Sequence, residues 1–279
     1  MKQLDQEGLL RLAASKETEA LLKRVFEWRN QVFQKNEFVN DQTILTLDLA
    51  GLTIHVKVSN AFSAVETFQE LFLKKGHCQI PQFSPQCAAT VLDIGANQGF
   101  YSMRMAHENP HCRIIAFEPN PLEFELFEMN LRKNQFGDRI AARNVAIGSS
   151  SGTLRMEIVP EIGPIGGVRV REPARKWLKD EFVKEIEVPA LSLDDVFSQY
   201  QLDWVDILKM DIEGLEGDVL RNFHQFSRVG KIVVEFHSVQ GRAELIDMMR
   251  VQGFNLVHED VEPGDYYGDL YFLRPGPSD

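Results

Sequence analysis

The sequence predicts an α/β fold: a mostly parallel, doubly wound sheet with an antiparallel C-terminal edge strand, preceded by a cap made of helix and β-hairpin. Three observations predict it. From residue 90 onward, short apolar runs (VLDIG, RIIAFE, IAARNVAIG, DILKMD, KIVVEFH) recur, with helical segments between most of them. Unalternating runs of that length suit strands buried on both faces, and strands separated by helices pair in parallel. Before that point the rhythm differs, and the proline-bearing stretch QIPQFSPQ marks the change. We therefore expect a cap over residues 1–87 and a main domain over residues 88–279.

Residues 7–34 set Leu9, Leu12, Leu21, Val25, Trp28 and Val32 at helical spacing. They read as one long helix or two shorter ones, whose apolar stripe packs on the rest of the chain or on a second copy, which leaves a homo-oligomer through this region open. TLDLAGLTIHVKV alternates. Leu47 and Leu49, then Leu52, Ile54, Val56 and Val58, share one face about a turn at Ala50-Gly51, which is a hairpin. AVETFQELFLKKG reads as a helix closing at Gly76.

In the main domain, Asn120-Pro121-x-Glu123 opens a helix with a cap residue, a first-position proline and a carboxylate in the first turn. Ser192-x-x-Asp195 opens another. Residues 153–190 interrupt the rhythm as two paired strands around EIGPIGG. The basic cluster Arg169, Arg171, Arg175, Lys176 and Lys179 falls in this excursion and suits either an anionic acceptor or a solvated loop. NLVHED and DLYFLR read as a closing hairpin that turns at Pro263-Gly264.

Composition removes several classes of function. Against 41 acidic residues there are 30 basic ones, a net charge of −11, which disfavours a nucleic-acid partner because affinity there comes mainly from Lys and Arg on phosphates. No run of 18 apolar residues is present, so no membrane span is expected. The first twenty residues lack the apolar core of a signal peptide, and the three cysteines are sparse and without metal-ligand spacing. The expectation is a cytoplasmic protein with reduced thiols.

The most informative stretch is VLDIGANQGFYS, residues 91–102. Gly95 permits a tight turn after the first strand, and Gly99 permits close approach of backbone or helix. About twenty residues further on, at the end of the second strand, Glu118 can accept the hydroxyl protons of a ribose. Turn plus carboxylate points to an adenosine-containing cofactor. Asn97 stands where a dinucleotide site has its second glycine, and Asp93 would repel a pyrophosphate but help receive an ammonium. The turn therefore favours S-adenosylmethionine over a nicotinamide dinucleotide.

D-x-G-A-N-x-G-x-x-S, AFEPNP, NVAIGSSSGT, LSLDDV and LKMDIEGLEGDVL occur in that order, and the chain over roughly residues 88–275 resembles the FkbM-type methyltransferases. The resemblance implies a Rossmann-like class I methyltransferase fold, S-adenosylmethionine as cofactor, and a small-molecule acceptor, often a hydroxyl on a sugar or secondary metabolite. It implies that Asp93, Gly95, Asn97 and Gly99 surround the methionine part of the cofactor. Glu118 would hold the ribose, and Asn144, Val145 and Ala146 would flank the adenine.

Lys209 lies in an otherwise apolar strand, so its charge needs a partner; Asp211, two residues on, shares its face. Asp211 is either that partner or a carboxylate facing the transferring methyl with Glu213 beside it, and the resemblance implies the second role. Glu235 and His237 share a face at the next strand end, and His237 is a candidate general base. Asp211, Glu213, Glu235 and His237 would also suit a divalent ion, though no spacing demands one. The remaining histidines (His55, His77, His107, His111, His224, His258) read as surface or turn residues. Cap and excursion together are expected to wall the acceptor pocket. The reading is an O-methyltransferase; N-methylation, a nicotinamide-dependent oxidoreductase and a non-catalytic cofactor-binding module are the alternatives. NADH titration separates the oxidoreductase, and binding without turnover separates the module.

Overall fold

The structure is a computed structural model and describes residues 5–35, 43–158, 183–261 and 266–275. The N-terminal helical stretch is two helices, α1 (Gln6–Leu12) and α2 (Lys16–Lys35). Ala13 is extended, and Ser15 Oγ accepts from Thr18 N at 3.1 Å, so α2 starts afresh with its own cap. Leu9, Leu22 and Val25 are fully buried, so the described part of the stripe is used within the chain. Trp28 and Val32 lie outside the described side chains.

Strands β1 (Ile44–Leu49) and β2 (Leu52–Lys57) form the expected hairpin. Its two turn residues, Ala50 and Gly51, have φ of 52° and 80°, the left-handed pair whose twist matches the flanking strands. All six residues expected on the inner face are buried. The four fully buried ones (Leu47, Leu49, Ile54 and Val56) each contribute on the order of 1.5–3 kcal/mol. Helix α3 (Ala61–Phe72) follows, and the proline-bearing link to the main domain forms two short 3₁₀ turns that bury Phe83.

The main domain runs β3 (Thr90–Ile94), α4 (Phe100–Glu108), β4 (Arg113–Phe117), α5 (Pro121–Asn134), β5 (Ile140–Arg143), β6 (Ala146–Gly148), β7 (Gly152–Ile158), β8 (Lys184–Ser192), α6 (Leu193–Gln199), β9 (Val205–Met210), α7 (Glu216–Arg221), β10 (Val229–Phe236), α8 (Val239–Val251), β11 (Asn255–Val261) and β12 (Gly268–Leu273). Seven strands make the main sheet, in the order β5-β4-β3-β9-β10-β12-β11. Asn120 caps α5, accepting from Leu122 N at 3.1 Å, and Ser192 caps α6, accepting from Asp195 N at 3.1 Å.

Successive residues of each strand serve opposite cores. Val91, Ile114, Ile207 and Val233 pack with the cap, while Leu92, Ile115, Leu208 and Val234 pack with α6, α7 and α8. The cap thus shares one continuous core with one face of the sheet. Its hairpin also docks on α5: Thr53 N donates to Asn134 Oδ1 at 2.9 Å and His55 N to Asn130 Oδ1 at 2.6 Å. These asparagines, one helical turn apart, satisfy the backbone edge of β2.

Two details differ from the sequence expectation. The closing hairpin forms, but its antiparallel strand β12 inserts between β10 and β11 and pairs with both, so the outermost strand is β11. IAARNVAIG is two strands: β5 joins the main sheet, and β6 joins a small sheet ordered β6-β8-β7. The paired strands of the excursion are β7 and β8. EIGPIGG, the basic cluster from Arg169 to Lys179, and Pro263-Gly264 lie outside the described residues. Among the described residues no helix is long and apolar enough to cross a membrane.

Candidate active site

The chain winds outward in opposite directions from β3 and β9, which are neighbours, so a crevice opens at their carboxyl ends. The glycine turn fills the β3 side of it. Gly95 N and Ala96 N donate to Phe117 O at 2.9 and 3.0 Å, tying the turn to β4. Gly95 has φ of +81°, and a Cβ there would lie 1.8 Å from the Asp211 carbonyl oxygen, so the position admits glycine alone. Gly99 serves packing instead: a Cβ on it would strike the Phe127 ring of α5 at 2.0 Å. Asn97 is left-handed at φ 51°, and its N–H donates to Glu118 Oε2 at 2.7 Å.

Glu118 follows β4 and is the polar centre of the cleft. Its second oxygen accepts from Asn120 N at 2.8 Å. Burial nevertheless pushes its carboxyl up to about 8, against the help of those two N–H groups. Gly95, Asn97, Glu118, Ile147, Met156 and Ile212 are among the residues lining one open cleft with about 200 Å³ of interior room. Leu154, Arg155 and Met156 of β7 line the same cleft as Glu118, and none of the residues lining it comes from the described part of the cap. The excursion therefore walls the Glu118 cleft.

Of the expected adenine loop, Ala146 lines the cleft. Val145 packs into the core behind, and Asn144 Nδ2 donates to the carbonyls of Glu118 and Pro119 at 2.9 Å, holding the strand end in place. Asp93 is fully buried, away from the cleft surface: Ser102 Oγ donates to its Oδ2 at 2.6 Å, and Lys209 Nζ stands 3.4 Å from Oδ1. The partner of Lys209 is thus Asp93, its register neighbour on β3, and not Asp211. Burial disfavours the ammonium, but the charges of Asp93 and Asp211 more than offset this and raise its pKa. Lys209 also donates to Gly95 O at 2.8 Å and so braces the turn.

Asp211, Glu213 and His237 do meet. His237 Nε2 stands 3.0 Å from Glu235 Oε2, 3.5 Å from Glu213 Oε2 and 3.9 Å from Asp211 Oδ1. Its Nδ1 stands 3.3 Å from Glu216 Oε1. Burial alone would lower the imidazole pKa, yet hydrogen bonds to Glu216 and Glu235 raise it to about 11. Burial and the neighbouring Asp211 charge push Glu235 up to about 8. Asp211 is held below the usual carboxylate range: burial opposes this, and the Lys209 charge outweighs it.

A family model described as the Methyltransferase FkbM domain matches residues 93–256. This chain belongs to that family. It is an S-adenosylmethionine-dependent methyltransferase. This FkbM-family chain is 28% identical over 197 residues to methyltransferase sdnD of Sordaria araneosa, covering 62% of this chain and 76% of that protein. It is also 28% identical over 195 residues to 31-O-demethyl-FK506 methyltransferase FkbM of Streptomyces tacrolimicus, covering 61% and 74%. To the 2-O-methyltransferase NoeI of Sinorhizobium fredii it is 28% identical over 156 residues, covering 52% and 62%. A crystal structure of methyltransferase FkbM from Methylobacillus flagellatus aligns with a TM-score of 0.46 at 14% identity; the match covers 96% of this chain and spans 58% of that one.

Two ionic pairings lie outside the sequence expectation, and the second belongs to the His237 cluster. His77 lies in a turn, as expected, but is half-buried, with Nδ1 2.9 Å from Asp269 Oδ2. Burial opposes its charge, but Asp269 raises its pKa to about 9. Nothing local announces that pairing. Glu216 orients His237 and in turn accepts from Ile212 N at 2.9 Å and Gly214 N at 3.0 Å. The second glutamate of DIEGLEG was the available signal.

Proposed function

We propose that this methyltransferase transfers a methyl group to a hydroxyl of a sugar or natural-product intermediate, with Glu118 gripping the cofactor ribose and Asp211 receiving the acceptor. The observation that carries the reading is a shared cleft: Glu118 and Asp211 line one crevice at the carboxyl ends of neighbouring parts of the sheet. Two relatives whose names specify O-methylation, from Streptomyces tacrolimicus and Sinorhizobium fredii, support oxygen as the acceptor atom.

When bound, S-adenosylmethionine would supply an electrophilic methyl on a sulfonium, with S-adenosylhomocysteine as the leaving group and the acceptor's hydroxyl proton passing to a protein base. The residues fit that ligand. A buried carboxylate needs donors, and ribose hydroxyls provide them to Glu118. Phe117, Ile147 and Met156 offer apolar walls to a flat base. Gly95 and Asn97 face the cofactor, while Asp93 and Gly99 act from behind the turn.

His237, the expected base, carries a proton at neutral pH in the free protein, so it donates. Asp211, held ionised, is the group left to accept the hydroxyl hydrogen. A positioned base contributes about a hundred- to ten-thousand-fold, and holding acceptor and methyl in line can contribute more. The test is a panel of hydroxyl and amine acceptors with S-adenosylmethionine, read by S-adenosylhomocysteine release and by mass spectrometry of the product. A methyl found on nitrogen, or turnover unchanged in Asp211→Asn, would sink the reading.

A further inference from the structure

We propose that Asp211, Glu213 and His237 form a divalent-cation site, taking Mg²⁺ or Mn²⁺, on the rim of the cleft that holds Glu118. Its place in catalysis rests on the O-methyltransfer reading; the binding itself does not. One ligand atom from each of the three residues lies within 4.8 Å of the others. Oxygen and imidazole ligands sit about 2.0–2.2 Å from such ions, so neighbouring ligands are about 3 Å apart and opposite ones about 4.2 Å. His237 Nε2 is 3.5 Å from Glu213 Oε2 and 3.9 Å from Asp211 Oδ1, so modest side-chain shifts, with release of the Nε2 proton to solvent, close the set on an ion. Glu235 Oε2, 3.0 Å from the same nitrogen, is placed to become a fourth ligand.

Two further observations point to a ligand here. Asp211 Oδ1 is buried with no N–H or hydroxyl donor among the described residues, and the hydrogen-bonding neighbour of its carboxylate is a second carboxyl group, Glu235. His237 is also aimed by its other nitrogen: Nδ1 faces Glu216 Oε1 at 3.3 Å, and Glu216 is itself pinned by Ile212 N and Gly214 N. A carboxylate on one side of an imidazole fixing the other side for a metal is the usual support of a histidine ligand.

Charge favours a cation. Four carboxyl groups, from Asp211, Glu213, Glu216 and Glu235, surround one imidazole among the described residues, and Glu235 keeps its proton because it is buried and the neighbouring Asp211 charge is unbalanced. The nearest fixed cation, Lys209, is engaged by Asp93 and the Gly95 carbonyl, and His77 is engaged by Asp269. A divalent ion would balance the excess and, because Asp211 and Glu213 line the cleft, could coordinate an acceptor hydroxyl and make its proton easier to remove.

The experiment uses the full chain stripped with EDTA and desalted, titrated with Mn²⁺ while the free-ion electron paramagnetic resonance signal is followed. We expect one ion per chain, bound at least tenfold more weakly in Asp211→Asn and in His237→Gln, and unchanged in the exposed control Asp247→Asn. Thermal melting of each variant checks that it folds. S-adenosylhomocysteine binding is measured on the same samples, so loss of cofactor binding with Mn²⁺ retained counts against the methyltransfer reading alone. A free Mn²⁺ signal undiminished at millimolar concentration in protein that binds S-adenosylhomocysteine overturns the site. So does equal binding in both folded variants.

Discussion

Lys209 on β9 and Asp93 on β3 are register partners whose charged atoms stand 3.4 Å apart, and the same ammonium holds the carbonyl of Gly95 at 2.8 Å. One buried ion pair therefore braces both the centre of the sheet and the glycine turn that lines the cleft. Removing one partner leaves an uncompensated buried charge, which costs about 3–5 kcal/mol. Lys209→Met is expected to destabilise by that order in urea unfolding. Adding Asp93→Asn should recover part of the loss; a double variant as unstable as the sum of the singles would contradict the pairing.

Two glycine substitutions should separate. Gly95→Ala drives a Cβ into the Asp211 carbonyl and should both destabilise the fold and weaken S-adenosylhomocysteine binding. Gly217→Ala, in α7, meets nothing closer than 3.9 Å and should raise stability by about 0.5–1 kcal/mol through helix propensity. Calorimetric melting and titration of both variants check this, and unimpaired binding in Gly95→Ala would remove the turn from the site.

Cofactor binding should release a proton at pH 7. Glu118, raised to about 8, holds one in the free protein, and ribose hydroxyls donate best to the ionised form. Affinity for S-adenosylhomocysteine should therefore climb as pH rises toward 8. Titration calorimetry in phosphate and in Tris reads the proton as a buffer-dependent heat. Glu118→Gln should abolish the difference and weaken binding about tenfold to a hundredfold, the worth of a charged hydrogen bond. Equal heats in the two buffers with the parent protein would argue against it.

Stability should fall between pH 6.5 and 9. His77, at about 9 folded against 6.5 unfolded, contributes fully below pH 6.5 and loses that contribution as pH rises through 9. Its share is on the order of 3 kcal/mol at most. Glu118 and Glu235, both at about 8 folded, hold protons that the unfolded chain gives up above about 4.5, so they act in the same direction. His77→Gln should flatten the slope. A melting temperature constant across this range in the parent protein would refute the assignment.

What the sequence revealed was what local pattern encodes. Strands buried on both faces announce themselves as apolar runs, and the hairpin of β1 and β2 announces itself by alternation about Ala50-Gly51. The placement of Glu118, Asp211 and Glu213 at one crevice was legible because strand ends in such a sheet face it, while His237 lines the neighbouring pocket with Glu216. Features left open depended on partners remote in the chain. Two-residue spacing left Asp211 open as a partner for Lys209, whereas sheet register supplies Asp93 at contact distance. His77 is defined by Asp269, near the opposite end of the sequence. The division of IAARNVAIG follows from Asn144, whose side chain bonds the carbonyls after β4 and turns the chain between sheets.

The asparagine clasp on the hairpin carries a consequence for synthesis. Thr53 and His55 leave the ribosome well before Asn130 and Asn134, which lie 75 and 81 residues further along. At about 5–20 residues per second, the bare edge of β2 waits roughly 4–16 s for its cover. A nascent chain stalled within that interval exposes an unpaired strand to other chains, and one released past Asn134 does not. Slow codons between the hairpin and α5 would accordingly lower soluble yield, whereas the same codons placed after α5 would spare it.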